Sequence, residues 1–243
     1  MGVNIINGSQ RTAAKVVGIA GLLATVLVVV GNYVLLSPLF VPGNAAETAR
    51  NILAHQTQFR VIVVCFLIYS AGVFVLLAAL YVVLKPVNPL LALIGALFRL
   101  VFGLSWLLTT LNMLTALRLL GSANYLQVFE TDRLQALARV HLAANFDDYY
   151  IGLPFFSLAS TVCSYLWWKS GYIPRSLAAF GVISSGWCVL CAFMFLIFPH
   201  FNKIVNDYVF DTPMAIFELA LSFWLLFKGI RVEESSSRAQ AAM

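Results

Sequence analysis

The fold this sequence predicts is an all-α bundle of six membrane-spanning helices, and three observations predict it. Of 243 residues, 61% are hydrophobic and only 10% charged, with a mean hydropathy of +0.91. A soluble domain of this length carries about 25% charged residues to cover its surface. Six apolar runs, at about 13–39, 60–84, 89–119, 149–169, 175–198 and 209–230, reach the roughly 20 residues that cross a bilayer core. Finally, prolines, glycines and lysines punctuate the chain at the ends of those runs.

The first run follows Arg11 and Lys15, as the core of a signal peptide would. It is far longer than the ~7–15 apolar residues of such a core, and Asn44-Ala45-Ala46 only faintly imitates a cleavage site. It reads as a retained first span, closed by Pro38 and Pro42. Span two ends at Lys85-Pro86, and span three opens at Pro89, where a missing N–H costs nothing in a first helical turn. Span four ends at Lys169-Ser170-Gly171, and span five runs from Pro174 to Pro199. Span six ends at Lys228-Gly229, and the polar tail 233–243 is expected to be disordered. Tyr149, Tyr150, Trp167, Trp168, Tyr172 and Tyr208 fall near span ends, where aromatic rings settle at the membrane interface.

Lysine and arginine orient the bundle. The two shortest hairpins, around 85–89 and 169–175, are purely basic. With both termini in the cytoplasm, eight lysines and arginines lie inside and six outside. The basic excess belongs on the cytoplasmic side, so the expected location is an inner membrane. The two hairpins also resemble each other: Tyr81 to Lys85 before Pro89 is echoed by Tyr165 to Lys169 before Pro174. This is read as coincidence between short membrane hairpins rather than as a parallel repeat. Two outer segments, 43–59 and 122–148, have helical composition. In the second, Leu126, Phe129, Leu134, Leu137 and Val140–Leu142 stand among charges. That pattern predicts an amphipathic helix on the outer interface or capping the bundle.

Composition also excludes. The net charge of +5 is scattered and forms no basic stripe, so nucleic acid is not a partner. The expected partners are the lipid bilayer, a lipid or small hydrophobic ligand, and an oligomeric mate of the same or another chain. There is no P-loop, no G-x-S-x-G and no G-x-G-x-x-G after a strand. No cofactor is implied, and the sequence leans away from an enzyme.

Three stretches carry a family resemblance. They are Thr48-Ala-Arg-Asn-Ile-Leu-Ala-His-Gln-Thr-Gln-Phe-Arg60 before span two, Tyr172-Ile-Pro-Arg175 opening span five, and Phe217-Glu-Leu-Ala-Leu-Ser-Phe-Trp-Leu-Leu-Phe-Lys-Gly229 in span six. Together they resemble a bacterial membrane-protein family known as domain of unknown function 4386, over about Arg11 to Arg231. The resemblance implies a small polytopic bundle and supplies no catalytic residues.

The residues themselves raise one sharp question. Arg99 stands in span three, ten residues past Pro89, so about 15 Å deep at 1.5 Å per residue. An unpaired arginine at that level costs about 2.5–3.5 kcal/mol on insertion scales. Glu218 lies ten residues before Lys228 in span six, at the same depth of about 15 Å. The two are expected to face each other. Asp211, Glu218 and Ser222 share one face of span six at i, i+7, i+11. The pair reads either as an architectural ion pair that fixes helix register or as a polar centre that binds a substrate or relays a proton.

Other groups carry less. Ser105, Thr109 and Asn112 share a face of span three at i, i+4, i+7, a spacing for weak interhelical hydrogen bonds or for a cavity lining. His55, His141 and His200 fall one in each outer connection, and His141, Asn145 and Asp148 repeat the i, i+4, i+7 spacing. Three imidazoles with Asp148 would be a zinc-ligand set, though no tight ligand motif is present. Cys65, Cys163, Cys188 and Cys191 all sit in apolar runs and behave as small hydrophobes. The C-x-x-C of Cys188 and Cys191 is mid-helix and reads as packing. Three functions remain. The leading one is a non-enzymatic subunit or small-ligand/lipid-binding module. The others are a small-molecule or proton-coupled transporter and an outer-facing metal-dependent hydrolase.

Overall fold

The computed structural model describes residues 6–41, 43–121, 124–198 and 200–231. Among them there is no strand. The α-helices are α1 (Gly8–Val29), α2 (Ala45–Ala54), α3 (Gln56–Leu84), α4 (Pro89–Leu120), α5 (Thr131–Ser170), α6 (Arg175–Ile197) and α7 (Asp207–Phe227). All but the short α2 belong to segments long and apolar enough to cross a membrane, six in number. The protein is a multi-pass, all-helical membrane protein.

Several boundaries differ from those read off hydropathy. The first helix starts at Gly8 because Asn7 and Gln10 form a capping box that satisfies its first N–H groups. It continues beyond Val29 as a π-helical stretch, Val30–Leu36, and a short 3-10 turn, Ser37–Leu39. Segment 43–59 is broken at His55, whose φ of −119° and ψ of 42° leave the helical region and separate α2 from α3. The largest difference is α5. Residues 131–148 are helical, but they do not form a separate interfacial helix. They run without interruption into the fourth span, through Pro154, as one helix of 40 residues. At 1.5 Å per residue that rod is about 60 Å long, twice a bilayer core of about 30 Å. Pattern alone shows a change of composition near residue 148, and a change of solvent along one helix produces the same signal as a break. Pro42, Pro199 and the tail 233–243 lie outside the described residues.

Each spanning helix packs on the next, and α7 packs back on α1, so the six close into a ring in the order α1, α3, α4, α5, α6, α7. Because an even number of spans alternates in direction, Gly8 and Phe227 lie at the same end, with the short hairpins 85–88 and 171–174. This is the hairpin end. The other, the cap end, holds α2, which packs against α5, α4 and α3.

Small residues set the helix spacing, as expected where lipid supplies no hydrophobic drive for helices to associate. On α1, a Cβ at Gly18 would meet the Ser222 carbonyl at 2.8 Å, and one at Gly21 would strike the Ser222 hydroxyl. The α1–α7 seam is therefore closed at the hairpin end by glycine. On α6, Gly181 sits under the Phe217 ring of α7 and the Ser164 hydroxyl of α5, 2.6 Å from an added Cβ. Tyr172 ties the hairpin end together: Gln10 donates to its hydroxyl at 3.4 Å, and the Arg231 N–H donates to its carbonyl at 2.8 Å.

Two apolar clusters fill the cap end. One joins α1, α3, α4 and the outer half of α5 around Phe59, Phe66, Phe102, Trp106 and Met113. The other joins α5, α6 and α7 around Leu153, Cys188, Cys191, Phe210 and Met214. The π-helical end of α1 belongs to the first, with Gly31 against the Phe66 ring and Leu35 accepting from Gln58 at 2.7 Å. The cap end of α7 belongs to the second. The two helices that meet at Gly18, Gly21 and Ser222 thus contribute to different clusters toward the cap.

Candidate functional site

The centre of the ring holds charge. Arg99 from α4 and Glu218 from α7 come from helices three steps apart in the ring order. Arg99 Nη2 donates to Glu218 Oε1 at 2.7 Å. Ser160 of α5 sits between them: its hydroxyl accepts from Arg99 Nη2 at 2.9 Å and donates to Glu218 Oε1 at 3.0 Å. The guanidinium also lies over the Phe156 ring, 5.0 Å from its centroid, a contact between cation and ring quadrupole that gains strength away from water. Arg99 is only 4% exposed. The gap beside it, lined by Leu77, Leu80, Gly95 and Cys163 among others, is too tight to admit a water molecule. The Arg99 Nε has no hydrogen-bond partner. The arginine is sealed.

Glu218 is not. Its side chain is 26% exposed, and both bonds it receives converge on Oε1, leaving Oε2 with none. Along one stripe of α7, Ser222 is buried against the α1 glycines, while Glu218 and Asp211 are half-buried and Ala215 is exposed. On α1, the stripe that begins at Gly18 and Gly21 continues through Thr25 to Val29, which is exposed. The α1–α7 seam is thus closed at Ser222, and both stripes become exposed toward the cap end, at Ala215 and Val29.

Of the residues that share a helical face with Glu218, Ser222 donates to the Glu218 carbonyl at 2.7 Å and packs on α1 rather than lining a cavity. Asp211 Oδ2 accepts from Tyr149 at 3.3 Å. Ser160 was not singled out by the sequence reading. Its signal was present: Ser157, Ser160, Thr161 and Ser164 repeat at helical spacing on α5, and three of them are fully or nearly fully buried serines.

A second polar cluster joins α4 to α5 nearer the cap. Asn112 Nδ2 donates to Asp148 Oδ2 at 2.9 Å, which leaves Asn112 Oδ1 to accept from His141 Nδ1 at 3.0 Å. Thr109 donates to the same Asp148 oxygen at 3.5 Å. The two faces read separately in the sequence, Thr109/Asn112 and His141/Asn145/Asp148, are thus the two sides of one zipper. Ser105, one turn further on, donates to the Phe102 carbonyl and packs on Gly152.

Residues 16–229 match the family model described as Domain of unknown function (DUF4386). The chain belongs to the DUF4386 family. No curated protein and no solved structure matches it. The family description attaches no activity, so what this DUF4386 chain can do must be argued from its own side chains.

The remaining candidates are dispersed. His55 is exposed, its Nδ1 3.0 Å from the Asn51 carbonyl oxygen, and His141 is engaged by Asn112. Among the described residues, no three His, Cys, Asp or Glu side chains gather as a metal-ligating group; His55, His141, His200 and Asp148 are not brought together. Cys188 and Cys191 are free thiols inside the α5–α6–α7 cluster.

Proposed function

We propose that this membrane protein is a non-enzymatic inner-membrane module that takes a lipid or small amphipathic ligand from the bilayer through the opening between α1 and α7. The observation that supports this is the contrast within one ion pair. Arg99 is ion-paired, ring-covered and 4% exposed, whereas Glu218 keeps 26% of its side chain and one carboxylate oxygen available. A purely architectural pair gains most when both partners are enclosed, because residual exposure weakens the attraction. Here the enclosure is one-sided.

Native mass spectrometry of protein released in mild detergent tests this. The expected result is a stoichiometric lipid-soluble adduct that is lost in A215W, whose indole fills the opening. A bare chain in both samples overturns the proposal.

A further inference from the structure

Resting on that reading of the site, we infer that the head group it receives is a protonated amine carried on a lipophilic body. The two charges of the centre differ in which of them can be reached. The cation of the centre is the harder charge to reach, with 5% of its side chain exposed against 26% for Glu218. Its Nη2 is spent on Ser160 and Glu218, Phe156 covers one face, and no water fits in the gap beside it. The carboxylate can serve a cation. Oε2 of Glu218 makes no hydrogen bond, and 26% of the side chain is exposed.

The walls agree. Between Lys15 and Arg50 the chain carries no lysine or arginine, and α7 carries none at all. Neither helix therefore brings a cation to Glu218 on this side, and the arginine that holds it lies buried behind. An ammonium N–H meeting Oε2 would form a charge-assisted hydrogen bond, stronger than a neutral one. The rest of the ligand must be apolar, because the opening is edged by Val29 and Ala215 and faces acyl chains. A bare metal ion is a poor fit, since one carboxylate oxygen offers no coordination shell.

The test uses two diazirine photoprobes of equal chain length, one ending in a primary amine and one in a carboxylate, added to the full-length protein in phosphatidylcholine vesicles. Labelled peptides are then mapped by mass spectrometry. The amine should label α1 around Thr25–Val29 and α7 around Asp211–Glu218 about ten-fold more than the carboxylate, the ratio expected from one hydrogen bond to a charged group. E218Q should reduce amine labelling to the carboxylate level. A215W, which leaves the carboxylate in place, should reduce labelling by both probes. Equal labelling by the two probes, a carboxylate excess, or amine labelling unchanged in E218Q overturns the amine and leaves a ligand site standing. No labelling of these two peptides by either probe overturns both the amine and the site.

Discussion

The two polar clusters share two of their helices and differ in almost everything else. At the cap, Thr109 and Asn112 of α4 meet His141 and Asp148 of α5 across one interface. In the centre, Arg99 of α4 reaches past Ser160 of α5 to Glu218 on the far helix. Asn112 is 23 residues beyond Pro89, about 35 Å along the helix, which is the edge of a hydrocarbon core about 30 Å thick. There, water remains an alternative partner for every polar group. Arg99, at about 15 Å, has no such alternative. Depth, rather than the number of hydrogen bonds, should decide what each cluster is worth.

Substitutions can break that comparison. The largest effect is expected from E218L, which strands the guanidinium without a counter-charge; about 3–5 kcal/mol should be lost, read by equilibrium unfolding in mixed micelles. A loss below ~1 kcal/mol, inside the range of an exposed pair, would place the centre on a par with the cap. D148A should cost about 1–2 kcal/mol, since Asn112 and Thr109 lose an acceptor but can turn to water. Should D148A prove as damaging as E218L, the argument from depth fails. S160A leaves the ion pair in place and removes only the bridging hydroxyl. About 0.6 kcal/mol, the average for a hydrogen bond between membrane helices, is expected in the same assay. The smallest change belongs to R99L/E218L: with both charges replaced by apolar groups, stability should lie within about 1 kcal/mol of the parent. A double variant no more stable than E218L alone would mean that the pair does more than neutralise itself.

The spans were legible because hydropathy is a property of long windows, and the depth of Arg99 and Glu218 followed from counting residues to the nearest helix end. The bridge was not legible. A serine among serines on α5 has no feature that marks it as the one between two charges, and only the rotation of α5 selects Ser160 over Ser157 or Ser164. The cap zipper was half-legible: each face shows the i, i+4, i+7 spacing by itself, but nothing in either says that it pairs with the other. The exposure of Glu218 left no trace in the sequence. Neither did the π-helical stretch Val30–Leu36, where Val, Gly and Leu look like any other part of a span. The join between the outer segment and span four was not legible, because composition changes at the membrane surface while the backbone does not.

The closure of the ring has a consequence for how the protein is made. Arg99 and Glu218 are separated by 119 residues, and Ser160 lies 61 residues after the arginine. At ~5–20 residues per second, the ribosome takes roughly 6–24 s to produce the glutamate after the arginine. During that interval α4 and its neighbours must be in or near the bilayer with the guanidinium still lacking its counter-ion. The last of the six to emerge also closes the seam against the first. Until Ser222 arrives, the α1 glycines lack the helix they pack on, so the nascent bundle is an open sheet of helices and becomes a ring only once α7 is made.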